Sequence, residues 1–265
     1  MATKLERIAE LVKTKPNEKL QTLVHLINSD SLKESHKRLS GRKAIGVDGI
    51  TKEEYDKNLE ENIQGLMQRM KRQAYKPQPA RRVYIPKADS SKKRPLGIPS
   101  YEDKLVQDVI AQILNIIYEP VFLDFSYGFR PHRDCHGAIK KLNEIIVANK
   151  TCYIVDTDIK GFFNNINHEW MMKFLGERIA DPNLLRLIKR FLKAGIMEEG
   201  NYQDTDKGTP QGGLISPIMA NVYLHYVLDM WFENIVKKNS QGEAHMVRYC
   251  DDCAPRRRRI VAIAA

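Results

Sequence analysis

Three polar segments in a fixed order constrain this chain more than any other feature of its sequence. A single carboxylate, Asp158, follows the apolar run at 153–155, and a carboxylate pair, Asp251 and Asp252, follows a second apolar run roughly 90 residues later. Between them lies the glycine-rich stretch GTPQGGLISP at 208–217. Carboxylates at the ends of two strands can meet at one edge of a sheet, and we expect these to do so.

Carboxylate oxygens brought together in this way suit Mg²⁺, which prefers a few hard oxygen ligands and completes its shell with phosphates and water. Two such ions about 3.5–4 Å apart can activate an attacking hydroxyl and neutralise a leaving phosphate. Asp158 and Asp251 are the predicted metal ligands. Asp252 is a third catalytic candidate, ranked lower because adjacent strand residues point to opposite faces. Any one aspartate is more commonly a solvated loop carboxylate, but the ordered set favours a metal site.

The charge of the chain is unevenly distributed. Its net charge is +10, and residues 1–100 contain 22 Lys and Arg against 12 Asp and Glu, whereas residues 101–265 contain 21 of each. The excess is densest at 69–94, where ten basic residues face one acid. Such a segment attracts a polyanion and binds phosphates without reading sequence. A solvated surface is the alternative, but the tyrosines and prolines within the run favour nucleic-acid contact.

The composition argues against several other classes of protein. Four irregularly spaced cysteines do not form a disulfide framework and indicate a reducing, cytoplasmic location. Cys250 and Cys253 form a lone C-x-x-C pair, which makes zinc improbable. No run of about 18 apolar residues predicts a membrane span, and the first residues lack the apolar core of a signal peptide.

Apolar spacing predicts helices over 4–28, with an interruption near Pro16, and over 52–73, 103–118 and 136–148. Two extended segments, 82–86 and 94–99, predict a hairpin around a polar tip. Further predictions are a buried strand over 153–159, helices that begin at Asn167, Asp181 and Ser216, and a last strand over 246–249. This mixture of elements predicts an α+β fold.

Together the motifs resemble the palm of a reverse transcriptase, and most closely the one encoded by group II introns. The segments at 158–163, 208–217 and 249–252 match the three palm motifs, and those at 46–49 and 126–131 match upstream blocks of the family. The resemblance covers roughly residues 40–252. It implies an α+β fold with reverse-transcriptase-like fingers and palm, in which a small antiparallel sheet packs on helices.

The resemblance also implies domain boundaries. It predicts a mainly helical N-terminal extension at 1–75 that forms part of the fingers, the fingers at 76–150, and a palm with the catalytic motifs at 151–253. Residues 254–265 depart from the family and are expected to be an added tail of atypical composition.

By resemblance, the chain is an RNA-directed DNA polymerase domain that adds dNTPs to a primer 3′-hydroxyl with two Mg²⁺ ions. Phe163 would pack under the sugar of the incoming nucleotide and exclude a 2′-hydroxyl, and Gln211 would lie near nucleotide and template. Lys87 and Arg94 would contact the triphosphate. The implied partners are an RNA template, a DNA primer and intron RNA, without a membrane. From composition alone, a position in the core is favoured for Phe163.

Two other functions stay open at this stage. One is an intron-RNA-binding maturase platform that promotes splicing with little polymerase activity, because no thumb segment follows the palm motifs in this sequence. The other is a bacterial reverse transcriptase of a retron or diversity-generating element. Apolar palm surface left uncovered without a thumb would favour a homodimer.

Overall fold

The computed structural model describes residues 2–87, 90–148, 153–155, 157, 159–209, 211–250 and 262–264. The chain divides into two compact units. Unit 1 comprises Met1–Ile117 and Phe163–Ser216, and unit 2 comprises Tyr118–Phe162 and Pro217–Ala265. Each unit contains helices and strands, as the predicted α+β class requires.

The helices are α1 (Ala2–Thr14), α2 (Ser29–Arg38), α3 (Lys52–Asp56), α4 (Leu59–Lys71), α5 (Tyr101–Tyr118), α6 (Cys135–Ala148), α7 (Phe162–Asn165), α8 (His168–Gly176), α9 (Pro182–Leu192), α10 (Ser216–Leu224) and α11 (Lys237–Asn239). The strands are β1 (Ala80–Lys87), β2 (Ser90–Ile98), β3 (Tyr153–Val155), β4 (Ile196–Glu198), β5 (Asn201–Gln203), β6 (Ala244–Met246) and β7 (Ala262–Ala264). A 3₁₀ turn occupies Val24–Leu26, and π-helical turns at His225–Asp229 and Phe232–Val236 lie between α10 and α11.

The predicted interruption near Pro16 is confirmed in unit 1, because α1 ends at Thr14. The rest of the helix predicted over 4–28 is wrong: residues 15–28 contain a 3₁₀ turn in place of an α-helix, and α2 begins after Asn28, whose side chain accepts a hydrogen bond from the Ser31 amide at 3.1 Å. The helix predicted over 52–73 is interrupted at 57–58, between α3 and α4. Apolar spacing runs across both breaks, but a side-chain cap such as Asn28 fixes a new helix start.

The predicted hairpin is confirmed and forms part of a four-stranded sheet in unit 1. Strands β1 and β2 pair antiparallel, with Ile85 opposite Arg94 and Arg81 opposite Ile98. The sheet order is β2-β1-β4-β5, in which β4 is parallel to β1. The hairpin is therefore held along one edge by a segment more than 90 residues away in sequence.

Helix α5 lies at the centre of the core of unit 1. The prediction of an amphipathic helix over 103–118 is right in extent, but the helix is buried around most of its circumference. Seven of its apolar side chains are fully buried: Leu105, Val106, Val109, Ile110, Ile113, Leu114 and Ile117. Its polar residues Asp103, Lys104 and Gln107 are buried as well, and each forms a hydrogen bond to a loop of unit 1.

Two predicted helix starts in unit 1 are confirmed by their caps. The side chain of Asn167 accepts from the Trp170 amide at 3.0 Å and begins α8, which ends at Gly176. Asp181 caps α9, with proline as the first helical residue. Gly195, just beyond α9, has φ of +80°, a left-handed conformation that glycine adopts without strain.

Unit 2 contains a three-stranded antiparallel sheet in the order β3-β7-β6. The predicted buried strand over 153–159 is wrong in two respects. Strand β3 is only three residues long, and the side chains of Ile154 and Val155 are 61% and 47% exposed. A continuous apolar run predicts burial on both faces for a strand inside a covered sheet, whereas β3 is an outer strand of its sheet.

The last predicted strand, over 246–249, begins two residues earlier, as β6 at Ala244–Met246. After β6 the chain pairs with a loop instead. The Arg248 amide donates to the Phe125 carbonyl and the Tyr127 amide donates to the Arg248 carbonyl, both at 2.8 Å. The long helix predicted from Ser216 is present and extends to Asn239 through its two π-helical turns.

Candidate functional site

The structure describes four of the seven predicted site residues. Asp158, Asp251 and Asp252 lie outside the described residues. Lys87 ends β1. The remaining three belong to unit 1: Arg94 in the middle of β2, Phe163 in α7, and Gln211 in the glycine-rich loop at 208–217.

The glycine-rich loop is bonded directly to the backbone of Phe163. The Thr209 amide donates to the Phe163 carbonyl at 2.8 Å. Gly208 has φ of +85°, and a Cβ at this position would lie 2.9 Å from the Phe163 carbonyl oxygen. Only glycine allows both that backbone conformation and that approach. Phe163 itself is 8% exposed.

The same loop is bonded to the hairpin of β1 and β2. The Gly97 amide in β2 donates to the Gln211 carbonyl at 2.5 Å. Gly212 has φ of +110°, and a Cβ there would lie 2.8 Å from the Gly97 carbonyl oxygen. The loop therefore joins the hairpin that carries Arg94 to the helix that carries Phe163, within one compact unit.

Further hydrogen bonds fix the ends of the loop. The Leu214 amide donates to the side-chain oxygen of Gln107 at 2.8 Å, and the hydroxyls of Thr209 and Ser216 are 2.9 Å apart. Buried His168 donates through Nε2 to the Gly208 carbonyl at 2.6 Å. Sequence reasoning missed Gln107 and His168, because neither lies within a recognised motif. These bonds hold the described residues 208–209 and 211–216 of the loop in place within unit 1.

A cavity of about 450 Å³ opens where the loop meets the hairpin. Its lining includes Arg82, Gly97, Asn164, Lys207, Gly208 and Gln211. Gln211 is partly exposed there. The lining of the cavity is polar and apolar in equal parts, and its polar half can accept a charged or hydrogen-bonding ligand.

The basic segment at 69–94 contains two kinds of residue. Arg69 donates to the Glu102 carboxylate at 2.8 and 2.9 Å, Arg81 donates to the Ile45 carbonyl at 2.5 and 2.9 Å, and Arg82 lies 3.3 Å from the Glu198 carboxylate. These arginines hold the fold. A second group has exposed side chains: Lys71, Arg72, Lys76 and Lys93. This second group is the surface that a polyanion can reach.

The upstream block at 46–49 is structural. Gly46 passes so close to the start of α5 that a Cβ would lie 2.5 Å from the Ser100 Cα. The Asp48 carboxylate accepts from the Tyr101 amide at 3.0 Å. Lys104 donates to the Ala44 carbonyl at 2.5 Å. This block fixes the loop before α3 to the first turn of the core helix.

In the block at 126–131 of unit 2, Arg130 is buried and fully engaged. Its guanidinium donates to the Glu119 carboxylate at 2.8 Å, to the Leu123 carbonyl at 2.7 Å and to the Ser126 carbonyl at 2.8 Å. It also lies over the ring of Phe122. Arg130 therefore organises a loop rather than offering its charge to a ligand.

Neither a metal centre nor a membrane span is found among the described residues. Among the described residues, no cluster of three or more His, Cys, Asp or Glu is suited to a metal ion. The three predicted carboxylates are not among these residues. The helices that these residues form are too short or too polar to cross a bilayer.

Sequence comparison relates the chain to proteins of known kind. The family model described as reverse transcriptase (RNA-dependent DNA polymerase) matches residues 85–255. The group II intron-encoded protein LtrA of Lactococcus lactis subsp. cremoris is 41% identical over 222 residues, which are 83% of this chain and 37% of that protein. An uncharacterized 91 kDa protein in the cob intron of Schizosaccharomyces pombe is 35% identical over 88% of this chain and 29% of its own length. The chain thus spans about a third of these relatives.

Structural comparison points to the same architecture. A chain of the partial Cas6-RT-Cas1–Cas2 complex superposes with a TM-score of 0.54 and 15% sequence identity, over 91% of this chain and 37% of that chain. At this level of identity the likeness concerns the fold alone. It confirms the fold class predicted from the sequence.

Proposed function

Because the chain belongs to the reverse transcriptase (RNA-dependent DNA polymerase) family and is a reverse transcriptase domain of the kind found in group II intron-encoded proteins, we propose that it adds dNTPs to the 3′-hydroxyl of a primer paired with an RNA template. The observation that carries this proposal is the glycine-rich loop, which joins Phe163 to the Gly97 strand through backbone hydrogen bonds. Intron-encoded relatives at 41% and 35% identity favour this origin over a retron or diversity-generating element.

The donor chemistry of the three predicted carboxylates fits Mg²⁺, since Asp158, Asp251 and Asp252 offer only hard oxygen ligands. In the proposed reaction Asp158 and Asp251 would hold two ions, and Asp252 would assist. Bound Mg²⁺ would activate the primer hydroxyl and stabilise the charge on the leaving pyrophosphate.

The remaining site residues are proposed to bind and orient the nucleotide. Phe163 would select deoxyribose by excluding a 2′-hydroxyl. Gln211 would face nucleotide and template, and its partly exposed position beside the cavity supports this role. Lys87 and Arg94 would neutralise the triphosphate, and the planar guanidinium of Arg94 suits bidentate phosphate contact.

A second candidate function is binding of intron RNA in splicing. It is favoured by the exposed basic residues Lys71, Arg72, Lys76 and Lys93, and by a nuclear intron maturase of Arabidopsis thaliana that is 30% identical over 48% of this chain. This role needs charge but no metal site. RNA template, DNA primer and intron RNA are therefore the proposed partners, and the cytoplasm is the proposed location.

A homodimer is also proposed, on the outer face of the helix at 216–239. Four apolar side chains recur there about every four residues and are exposed: Val227, Met230, Trp231 and Ile235. Contiguous apolar surface of this kind commonly marks a contact with another protein. Sedimentation equilibrium over a concentration series tests this assembly.

Primer extension on an RNA template tests the polymerase proposal. Asp158→Asn and Asp251→Asn should each lower the rate by roughly a hundredfold or more, since several kcal/mol of charge stabilisation depend on the ions. Asp156→Asn is the matched control, because the family pattern assigns the ligand to Asp158. RNA affinity should change little in all three variants. If Asp158→Asn extends primers at the wild-type rate, Asp158 is not a metal ligand. If the wild-type protein binds RNA but does not extend primers, the splicing role is favoured.

A further inference from the structure

A buried ion pair lies just ahead of the carboxylate pair in the chain. Arg248 is 2% exposed and Asp229 is fully buried. The guanidinium donates through Nε to Asp229 Oδ1 at 2.7 Å and through Nη2 to Asp229 Oδ2 at 2.6 Å. This is the bidentate arrangement that arginine makes with carboxylate. Arg248 stands three residues before Asp251.

The same guanidinium ties together three segments of unit 2. Its Nη1 donates to the Asn221 side chain at 3.1 Å, and its Nη2 donates to the Ser126 hydroxyl at 2.7 Å. Asn221 and Asp229 lie on the long helix at 216–239, and Ser126 lies in the loop that pairs with the Arg248 backbone. A lysine could not make these contacts, because its single ammonium lacks the planar fork.

Contacts of the next residues continue this network. Asn221 donates to the Gly128 carbonyl at 2.7 Å. A Cβ on Gly128 would lie 2.2 Å from Cys250 Sγ and 2.3 Å from the Cys250 amide nitrogen. Cys250 is buried and has φ of +56°. A non-glycine residue keeps such a conformation only where its surroundings impose it.

A role in stability alone does not account for the pair. Buried ion pairs often contribute no more to stability than apolar residues of similar size, because both charges lose their hydration. Arg248 instead fixes the relative positions of three segments. Its planar guanidinium holds the helix at 216–239 and the loop at Ser126 to the chain that follows β6.

We infer that Arg248 and Asp229 are positioning residues, which hold the strained backbone at Cys250, and that catalysis by the adjoining Asp251 depends on this support. This inference rests on the proposed polymerase function for its consequence in catalysis. Its structural part, control of the turn at Cys250, is independent of that function.

Thiol labelling tests the structural part directly. N-ethylmaleimide labelling, mapped by mass spectrometry, compares buried Cys250 with exposed Cys135 in the same molecule. Arg248→Lys should raise the Cys250 rate by roughly tenfold or more through local opening, while the Cys135 rate stays unchanged. Phe122→Leu is the matched control, because Phe122 is buried in the same unit and its ring packs against the rings of Tyr118 and His225. It should lower the melting temperature without changing Cys250 protection.

Replacing both charged residues with apolar ones distinguishes an effect on the Cys250 turn from an effect on overall stability. The double variant Arg248→Met with Asp229→Leu leaves no unpaired buried charge and should melt within about 5 °C of the wild type. It should still label at Cys250 faster and extend primers roughly tenfold or more slowly. Wild-type protection of Cys250 in both Arg248 variants overturns the inference, as does wild-type primer extension by the folded double variant. If the wild type extends no primer, the polymerase proposal fails, and Cys250 labelling alone then decides whether the pair controls the turn.

Discussion

The two units differ in the buried charges that hold their irregular segments. In unit 1 the carboxylates of Asp181 and Asp103 accept hydrogen bonds from the chain around them, and the buried cation of Lys104 donates to a carbonyl. In unit 2 the buried guanidinium groups of Arg130 and Arg248 donate to carbonyls and carboxylates. This difference determines which charged side chains stay exposed and can contact a ligand.

A count of basic residues therefore has different meanings in the two units. Unit 1 holds some of its loops with buried acids and leaves Lys71, Arg72 and Lys76 exposed, so these positive charges can reach a polyanion. Unit 2 places arginines inside, so part of its positive charge is unavailable to a phosphate. Only some of the charges counted in a sequence act on a partner.

Removing the carboxylate anchor of unit 1 should have the largest effect on stability. Asp181 accepts hydrogen bonds from the amides of Leu23, Val24, Asn183 and Leu184 at 2.7–3.1 Å. Burial alone would raise the pKa of Asp181, but these four donors outweigh it and lower the pKa below its ordinary value. Asp181→Ala leaves four amides without their acceptor and should cost about 3–5 kcal/mol in urea denaturation at pH 7.

The control for that variant is Asp206→Ala, which removes an exposed acid from the same unit. Its free energy of unfolding should stay within about 0.5 kcal/mol of the wild type. A loss below about 1 kcal/mol for Asp181→Ala would show that unit 1 does not depend on this anchor.

The corresponding removal in unit 2 should cost less. Arg130→Ala deletes bonds to three backbone carbonyls and to the Glu119 carboxylate, but the side chain of Glu119 is 31% exposed and can be hydrated. We expect a loss of about 2–3 kcal/mol, measured by the same urea titration. A cost above that of Asp181→Ala would reverse the ranking of the two anchors.

Removing exposed positive charge should weaken RNA binding when the charge lies in unit 1, but not when it lies in unit 2. Replacing Lys71, Arg72, Lys76 and Lys93 with alanine should weaken binding of a structured RNA by roughly 10–100-fold, and should reduce the log–log salt slope by about 0.7–0.9 for each lost contact. The matched control replaces four exposed lysines of unit 2 with alanine: Lys140, Lys141, Lys237 and Lys238. Equal losses in affinity and slope for the two sets would mean that net charge, and not its placement, governs binding.

The sequence predicts local elements well where one signal dominates. The hairpin and the Asp181 cap follow from turn residues and capping chemistry, and the glycine-rich loop follows from its motif. Buried roles of charged residues could not be predicted. Nothing in the sequence separates Arg81, which holds the Ile45 carbonyl, from exposed Lys93, because the difference lies in contacts between distant segments.

In the candidate site too, the sequence predicts the residues of a motif but not their contacts with distant segments. The motif predicted Phe163 and Gln211, but not the bond between Gly97 and Gln211 or the support from Gln107. Phe163 is 8% exposed, so its proposed contact with the sugar stays a prediction beside the core alternative.

The smallest expected effect is a pH dependence of unit 1. Asp103 accepts from the Tyr75 hydroxyl and the Gln78 amide, and burial raises its pKa from 3.8 to about 6. The folded state thus holds this proton more tightly than the unfolded state does. The contribution of Asp103 to stability should therefore fall as pH rises from 4.5 to 6, by about 1–2 kcal/mol. Asp103→Asn keeps an acceptor but cannot titrate, so its stability should change less over this range in parallel urea titrations. Identical pH profiles for the two proteins would mean that the carboxylate of Asp103 stays ionised in the folded state, as the acids on the surface of unit 1 do.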